Sequence, residues 1–400
     1  MISRRIIILV SLIAAIVCLN ACHSSAVYDF EPEPPGEVRM VTLDLSVNVL
    51  EGADPASRSR AFQPDENPSY EGPATDYEKL KTLRVVIVRP DGTIEHNRMV
   101  TYNEATGLIN HDNLKFEVIS NEMKKIYLFG NEKIVRQMND DFDFGTRLAV
   151  GKQFPTATVN SLTLKMEGSE DAGVYSSKPV INNSYYTGLP TYIPMSECFD
   201  IMVNRPAPGT TLTQEEELFI TRSLIKFSFC VDVDTRFQNG TVLDGIVLSG
   251  LADESFYMPH ETNYDPKKYE PSYNPLGGRL ITSFETLNPV HRFSYTFPVM
   301  PGFDMSAEGE TPEQQKVTKS KTVEQYVYFP ESKDGTYKVR LLFTGNDELT
   351  EIAGEQTLEI EDIPRNTHVK VNISFEDRQI KAIVDLLPYT AVDLNPSFGF

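Results

Sequence analysis

Ala391-Val-Asp-Leu-Asn-Pro-Ser-Phe-Gly-Phe400 alternates with a period of two. Val392, Leu394, Pro396, Phe398 and Phe400 share one side, and Asp393, Asn395, Ser397 and Gly399 the other, the pattern of a strand with one buried face. Residues 41–49 repeat the design, with Val41, Leu43, Leu45, Val47 and Val49 alternating with Thr42, Asp44, Ser46 and Asn48. Two strands of one kind thus flank the chain. Either both are ordinary sheet strands, or they compete for one slot, the second giving a neighbouring molecule what the first gives its own.

Working outward to the start, Arg4 and Arg5 precede an apolar run from Ile6 to Leu19, then Leu19-Asn20-Ala21-Cys22. A positive start, a short apolar core and a small residue before the cut describe a secretory signal over 1–21. The run is short for a membrane span. The ending LNAC resembles a bacterial lipobox, in which Cys22 is acylated and becomes the first mature residue, so the precursor is expected to be held to the outer membrane by lipid. Cytoplasmic chemistry is thereby set aside.

The 400 residues, 40% hydrophobic, suffice for two cores. The formal charge of −20 becomes −22 when Arg4 and Arg5 leave with the signal. So acidic a chain is a poor partner for nucleic acid. Of four cysteines, Cys18 lies in the signal and Cys22 at the lipid site, leaving Cys198 and Cys230. An oxidising compartment allows them to pair, and their apolar neighbours equally suit two buried thiols.

Residues 22–37, rich in Pro and acids, read as a tether. The first strand follows at 38–50, then a polar, proline-rich loop over 51–77 carrying Arg58 and Arg60 before Ala61, of the kind that proteases cut. Leu83–Val88, a Pro90-Asp91-Gly92-Thr93 turn and Ile94 onward form a hairpin signature. Strands are expected at 115–119, 125–129 and 161–165, and a short helix within 131–150. The break around Pro206–Pro208 sets a boundary, giving one β-sandwich over 38–207 and another over 208–400. The second opens at Gln214 with a short helix running into a strand, followed by strands at 227–233, 241–248, 291–298, 324–329, 337–344, 368–374 and 379–386. The Tyr- and Pro-rich stretch 252–290 reads as a surface excursion whose aromatics suit recognition.

The six histidines are scattered, with no HExxH, P-loop, GxSxG, GxGxxG-to-helix or DxDxDG spacing. A non-enzyme without metal or cofactor is the expectation.

Several stretches together resemble the fimbrillin family, the type V pilins of Bacteroidetes: LNAC, VTLDLSV with the loop ending Arg60-Ala61, LRVVIVRPDG, KIYLFGNE, Ile193-Pro194-Met195-Ser196, ITRSLIKFSF, Tyr328-Phe329-Pro330-Glu331, RNTHVKVNISF and VDLNPSFGF. The resemblance spans nearly the whole mature chain. It implies an all-β protein of two transthyretin-like sandwiches, exported as a lipoprotein. It further implies an arginine-specific protease cutting after Arg60, with Arg58 as the fallback, to remove the strand bearing Val41, Leu43, Leu45, Val47 and Val49. Subunits then join by donor-strand exchange through Val392, Leu394, Phe398 and Phe400, forming a fimbrium that serves cell adhesion to a host or bacterial surface ligand, with other fimbrial subunits as partners. Five apolar side chains at about 1.5–3 kcal/mol each give a gross burial of about 8–15 kcal/mol for whichever strand fills the slot, less the entropy of ordering it. Pro396 departs from the pattern, because it lacks an N–H and fits a central strand badly. The donor either pairs fully only to Asn395 or pairs on one side around 396, or else 391–400 closes its own domain, as suits a tip subunit. The competing class is a monomeric surface lipoprotein that binds glycan or host protein through 252–290.

Overall fold

The computed structural model describes residues 38–49, 78–103, 108–109, 111–137, 140–165, 174–175, 192–233, 241–260, 286–287, 291–304, 319–323, 326–345, 354–360, 362–376 and 379–388. The signal segment, Cys22, the tether, loop 51–77 with Arg58, Arg60 and Ala61, and the stretch 391–400 lie outside these residues.

Met40–Phe400 forms one compact unit, and it is nearly all β. In chain order the main strands are β1 (Met40–Val49), β2 (Thr82–Val88), β3 (Ile94–Asn103), β4 (Lys115–Ile119), β5 (Glu122–Gly130), β6 (Met195–Val203), β7 (Thr213–Arg222), β8 (Leu224–Val233), β9 (Val242–Ala252), β10 (Arg292–Asp304), β11 (Lys319–Thr322), β12 (Val327–Pro330), β13 (Lys338–Thr344), β14 (Thr367–Glu376) and β15 (Gln379–Pro388).

An eight-stranded sheet runs 108–109, β3, β2, β5, β6, β7, β1, β4. The near-continuous apolar run of β2 follows from burial on both faces. Leu83, Val85 and Ile87 enter one hydrophobic cluster with Val41, Leu43 and Leu45, while Val86 and Val88 enter another with Tyr127, Phe129 and Phe144. The β2–β3 turn forms as the sequence predicts. Asp91 Oδ1 accepts from Thr93 N at 2.9 Å, and Gly92 takes φ +84°, a conformation open to glycine and strained for side chains.

The second set of strands packs two sheets over one cluster. In the first, β9 lies between β10 and β13, with the short strand 356–357 beyond β13. In the second, β8 pairs parallel with β14, antiparallel with β11 and β12, and β14 carries β15. Phe227, Phe229 and Val231 face this cluster, which matches their alternation, and meet Ile246, Leu248 and Leu341 across it.

Two readings are corrected, and one strand went unread. Gln214 opens no helix: Thr213–Arg222 is a strand of the eight-stranded sheet, because alternate burial at Leu218 and Ile220 suits a pleat and Glu215 and Glu217 stay outward. The strand Met195–Val203 carried no clear period, since three buried residues run in sequence at its start and four of its residues are not fully buried. The start of the 252–290 excursion is core: Tyr257 is fully buried, its hydroxyl donating to Met195 O at 2.7 Å. The helix expected within 131–150 is Phe144–Arg147, capped by Asp143 Oδ1, which accepts from Gly145 N and Thr146 N.

Candidate functional site

The slot that holds β1 is built on both sides. β1 runs parallel to β7, from Thr42 opposite Thr213 to Val49 opposite Ile220. It runs antiparallel to β4 from Met40 opposite Ile119 to Asp44 opposite Lys115. The two ladders differ in length, because β4 begins at Lys115, after the 3-10 turn His111–Leu114. Thr42 N donates to Leu212 O at 3.0 Å, so the even-numbered N–H groups of β1 address β7.

The odd-numbered side chains turn inward. Val41, Leu43 and Leu45 are 1%, 0% and 0% exposed, and they share a cluster with Val85, Ile87, Phe116, Val118, Ile126 and Leu218. Val47 and Val49 are partly buried and pack against the same cluster. Burying the first three contributes about 5–9 kcal/mol gross. The even-numbered side chains make a polar rim. Thr42 Oγ1 donates to Glu117 Oε1 at 2.5 Å, Lys115 Nζ lies 3.4 Å from Asp44 Oδ2, and Asn48 Nδ2 donates to Glu217 Oε1 at 3.1 Å. Without β1, the slot would present an apolar floor between two unpaired backbone edges, the arrangement that templates a strand.

Ahead of β2, the chain is held firmly at Glu78. Glu78 is 0% exposed; its Oε1 lies 3.0 Å from Lys226 Nζ and accepts from the Tyr328 hydroxyl at 2.6 Å. Its carbonyl accepts from Arg222 Nε at 3.1 Å. Next to it, Asn131 sits in the left-handed region at φ 50°. Its Oδ1 accepts from Lys81 N and Thr82 N, and its Nδ2 donates to Lys79 O and Ile193 O. A third buried group, Arg365, donates to Glu331 Oε1 and to the carbonyls of Phe256 and Tyr257. None of Glu78, Asn131 or Arg365 was singled out from the sequence. Their only signal was the polar residue itself beside apolar runs.

Cys198 and Cys230 are both free thiols. Burial pushes the Cys198 thiol up to about 12, which keeps it protonated at neutral pH. Burial, with Lys226 and then Lys370 adding to it, drops His368 to about 3, and its Nε2 lies 2.7 Å from Ser228 Oγ. Among the described residues no group of three His, Cys, Asp or Glu side chains is placed to hold a metal ion, and no helix is long and apolar enough to cross a membrane.

No family model matches the chain, and no curated protein matches it. Among solved structures, the chain is similar to a fimbrial assembly protein from Parabacteroides distasonis, at 9% identity and a TM-score of 0.41, covering 87% of this chain and 96% of that one. It is also similar to the tip fimbrial protein Mfa3 from Porphyromonas gingivalis with a C-terminal truncation, at 10% identity and a TM-score of 0.40, covering 88% of this chain and 100% of that one.

Proposed function

We propose that this chain is a structural subunit of a cell-surface fimbrium that contributes to adhesion, in stalk or tip position. It is exported as a lipoprotein through Cys22 and cut after Arg60, or after Arg58, by an arginine-specific protease. The first strand then leaves, and residues 391–400 of another subunit fill its place through Val392, Leu394, Phe398 and Phe400. The two β-sandwich bodies, transthyretin-like in this reading, are the scaffold on which the slot is carried.

The observation that carries the reading is the placement of β1. It lies between β7 and β4, buries Val41, Leu43 and Leu45, and precedes the arginine-bearing residues 51–77, while the chain beyond them is tied down at Glu78 and Asn131. A strand so joined is separable by one cut without loosening β2. The competing lipoprotein reading draws no support from the described part of 252–290, where Tyr257 is withdrawn into the core.

The test is the N-terminus of the surface form by mass spectrometry, expected at Ala61. The Arg58→Ala, Arg60→Ala double variant is expected to remain a stable monomer that retains β1. Normal fibre yield from that double variant would reject the cleavage step.

A further inference from the structure

We infer that Pro396 fixes both the direction and the register in which the terminal strand of one copy of this chain occupies the β1 slot of the next, with Val392 at the place of Val41 and Pro396 at the place of Leu45. The inference rests on the strand-exchange reading above and adds to it the geometry of the seated strand.

Direction comes first. A strand in the slot must turn Val392, Leu394, Pro396, Phe398 and Phe400 inward, because these are its apolar side. In β1 the even-numbered N–H groups face β7, as Thr42 N to Leu212 O shows, so the inward-facing odd residues point their N–H groups toward β4. A strand laid in the same direction as β1 keeps that assignment, and the missing N–H of Pro396 then faces the β4 side. Reversing the strand while keeping its apolar side inward exchanges left for right. Pro396 would then face β7, whose ladder with β1 runs unbroken from Thr42 to Val49, and a ladder bond would be lost at any register.

Register follows from the unequal ladders. β4 pairs with β1 only as far as Asp44 opposite Lys115. Leu45 is therefore the first inward position past the end of that ladder, and a proline there removes no donor that the ladder uses. With Pro396 at Leu45, Val392 takes the Val41 site and Leu394 the Leu43 site, like for like at two positions that are 1% and 0% exposed. Phe398 and Phe400 take the partly buried Val47 and Val49 sites, where larger side chains gain area. A slip by two residues one way puts Pro396 opposite Phe116 and deletes a bond to β4. A slip by two the other way puts Thr390 in the Val41 site, which is 1% exposed, and carries Phe400 past Val49. The register is bounded on both sides.

The seated strand brings Asp393 to the place of Thr42, directly opposite Glu117 in a pair that shares no backbone hydrogen bond, since the N–H there faces β7. Such pairs have Cα atoms about 4.5 Å apart, within disulfide reach. Full-length chain carrying Asp393→Cys and Glu117→Cys is expected to form intermolecular disulfides in processed fibres, located by peptide mapping that separates them from Cys198 and Cys230. A disulfide instead from Asp393→Cys to Lys115→Cys or to Ile119→Cys overturns the register and leaves strand exchange standing. Fibres with no disulfide in any of the three pairs overturn the exchange reading itself. A proline walk tests direction independently: Pro396→Ala is expected to keep fibre yield within about two-fold. Adding Asn395→Pro to that variant removes an N–H needed by β7 and is expected to lower yield about ten-fold or more. Equal yields from the two, or a ten-fold loss with Pro396→Ala alone, overturn the assignment.

Discussion

Glu78 and Lys226 stand 3.0 Å apart with side chains 0% and 4% exposed, joining the segment that leads into β2 to the first strand of the second sheet set. The Tyr328 hydroxyl and the Arg222 guanidinium complete the attachment from two further strands. Residues 78, 222, 226 and 328 thus converge on one buried point ahead of β2.

Removing one member of this pair is expected to cost far more than removing both. Glu78→Ala leaves a buried ammonium without its carboxylate and should lower unfolding free energy by about 3–5 kcal/mol. The double change Glu78→Gln, Lys226→Met should recover most of that loss, because neither residue then carries a buried charge. Urea denaturation of the unprocessed chain measures both. A single variant within about 1 kcal/mol of the parent would show that the pair does not hold this junction.

Leu43 is expected to matter only while β1 is present. In the unprocessed chain, Leu43→Ala at a site 0% exposed should cost about 2–5 kcal/mol, as truncations in tight cores do. After cleavage and strand release the same substitution should have no effect on the remaining body. Melting temperatures of parent and variant, taken before and after treatment with an arginine-specific protease, read the difference. An equal shift in both states would mean that β1 does not leave.

The all-β class and most strand positions were legible because alternation survives wherever one face of a strand is wet, as in β1 and β8. β2 was legible for the opposite reason, a continuous aliphatic run that both clusters require. β6 was not legible, since Met195, Ser196 and Glu197 are all buried in sequence and Glu197 breaks the apolar run. β7 was misread at its start because Gln214-Glu-Glu-Glu217 favours a helix locally, and pairing with β1 and β6 overrode that preference. The slot's inward residues could be named from period alone. Which strands flank it, and how far each ladder runs, depends on contacts more than sixty residues apart in sequence that no local pattern encodes.

His368 is expected to make stability fall on the acid side of neutrality. Burial, the largest cause, and then Lys226 and Lys370 hold its folded value near 3, below the ordinary 6.5, so the unfolded chain binds the proton more readily. Its contribution is fully present above about pH 6.5 and is lost as pH falls toward 3, by about 1.4 kcal/mol per unit within that window. His368→Gln removes the titration. Denaturant midpoints of parent and variant at pH 7, 6 and 5 should therefore converge as pH falls, with the parent losing more. Parallel curves would mean that His368 takes up its proton in the folded state.

Asn131 is expected to decide whether a protease can reach residues 79–82. It holds Lys79, Lys81 and Thr82 by three backbone contacts, and its own N–H donates to Thr82 O at 3.0 Å, all from a left-handed conformation at φ 50°. Asn131→Gly keeps that conformation accessible and removes the side-chain bonds, at a cost on the order of 3 kcal/mol for the buried groups left behind. Asn131→Ala adds backbone strain of about 1 kcal/mol or more. Trypsin treatment of the native parent should stop at the arginines of loop 51–77, whereas both variants should also be cut after Lys79 and Lys81, alanine faster than glycine. The opening at 78–82 needs no change in β1, so the new cuts should appear equally in chains that retain the first strand. If they appeared only after β1 had gone, the slot itself, and not Asn131, would be what keeps residues 78–82 in place.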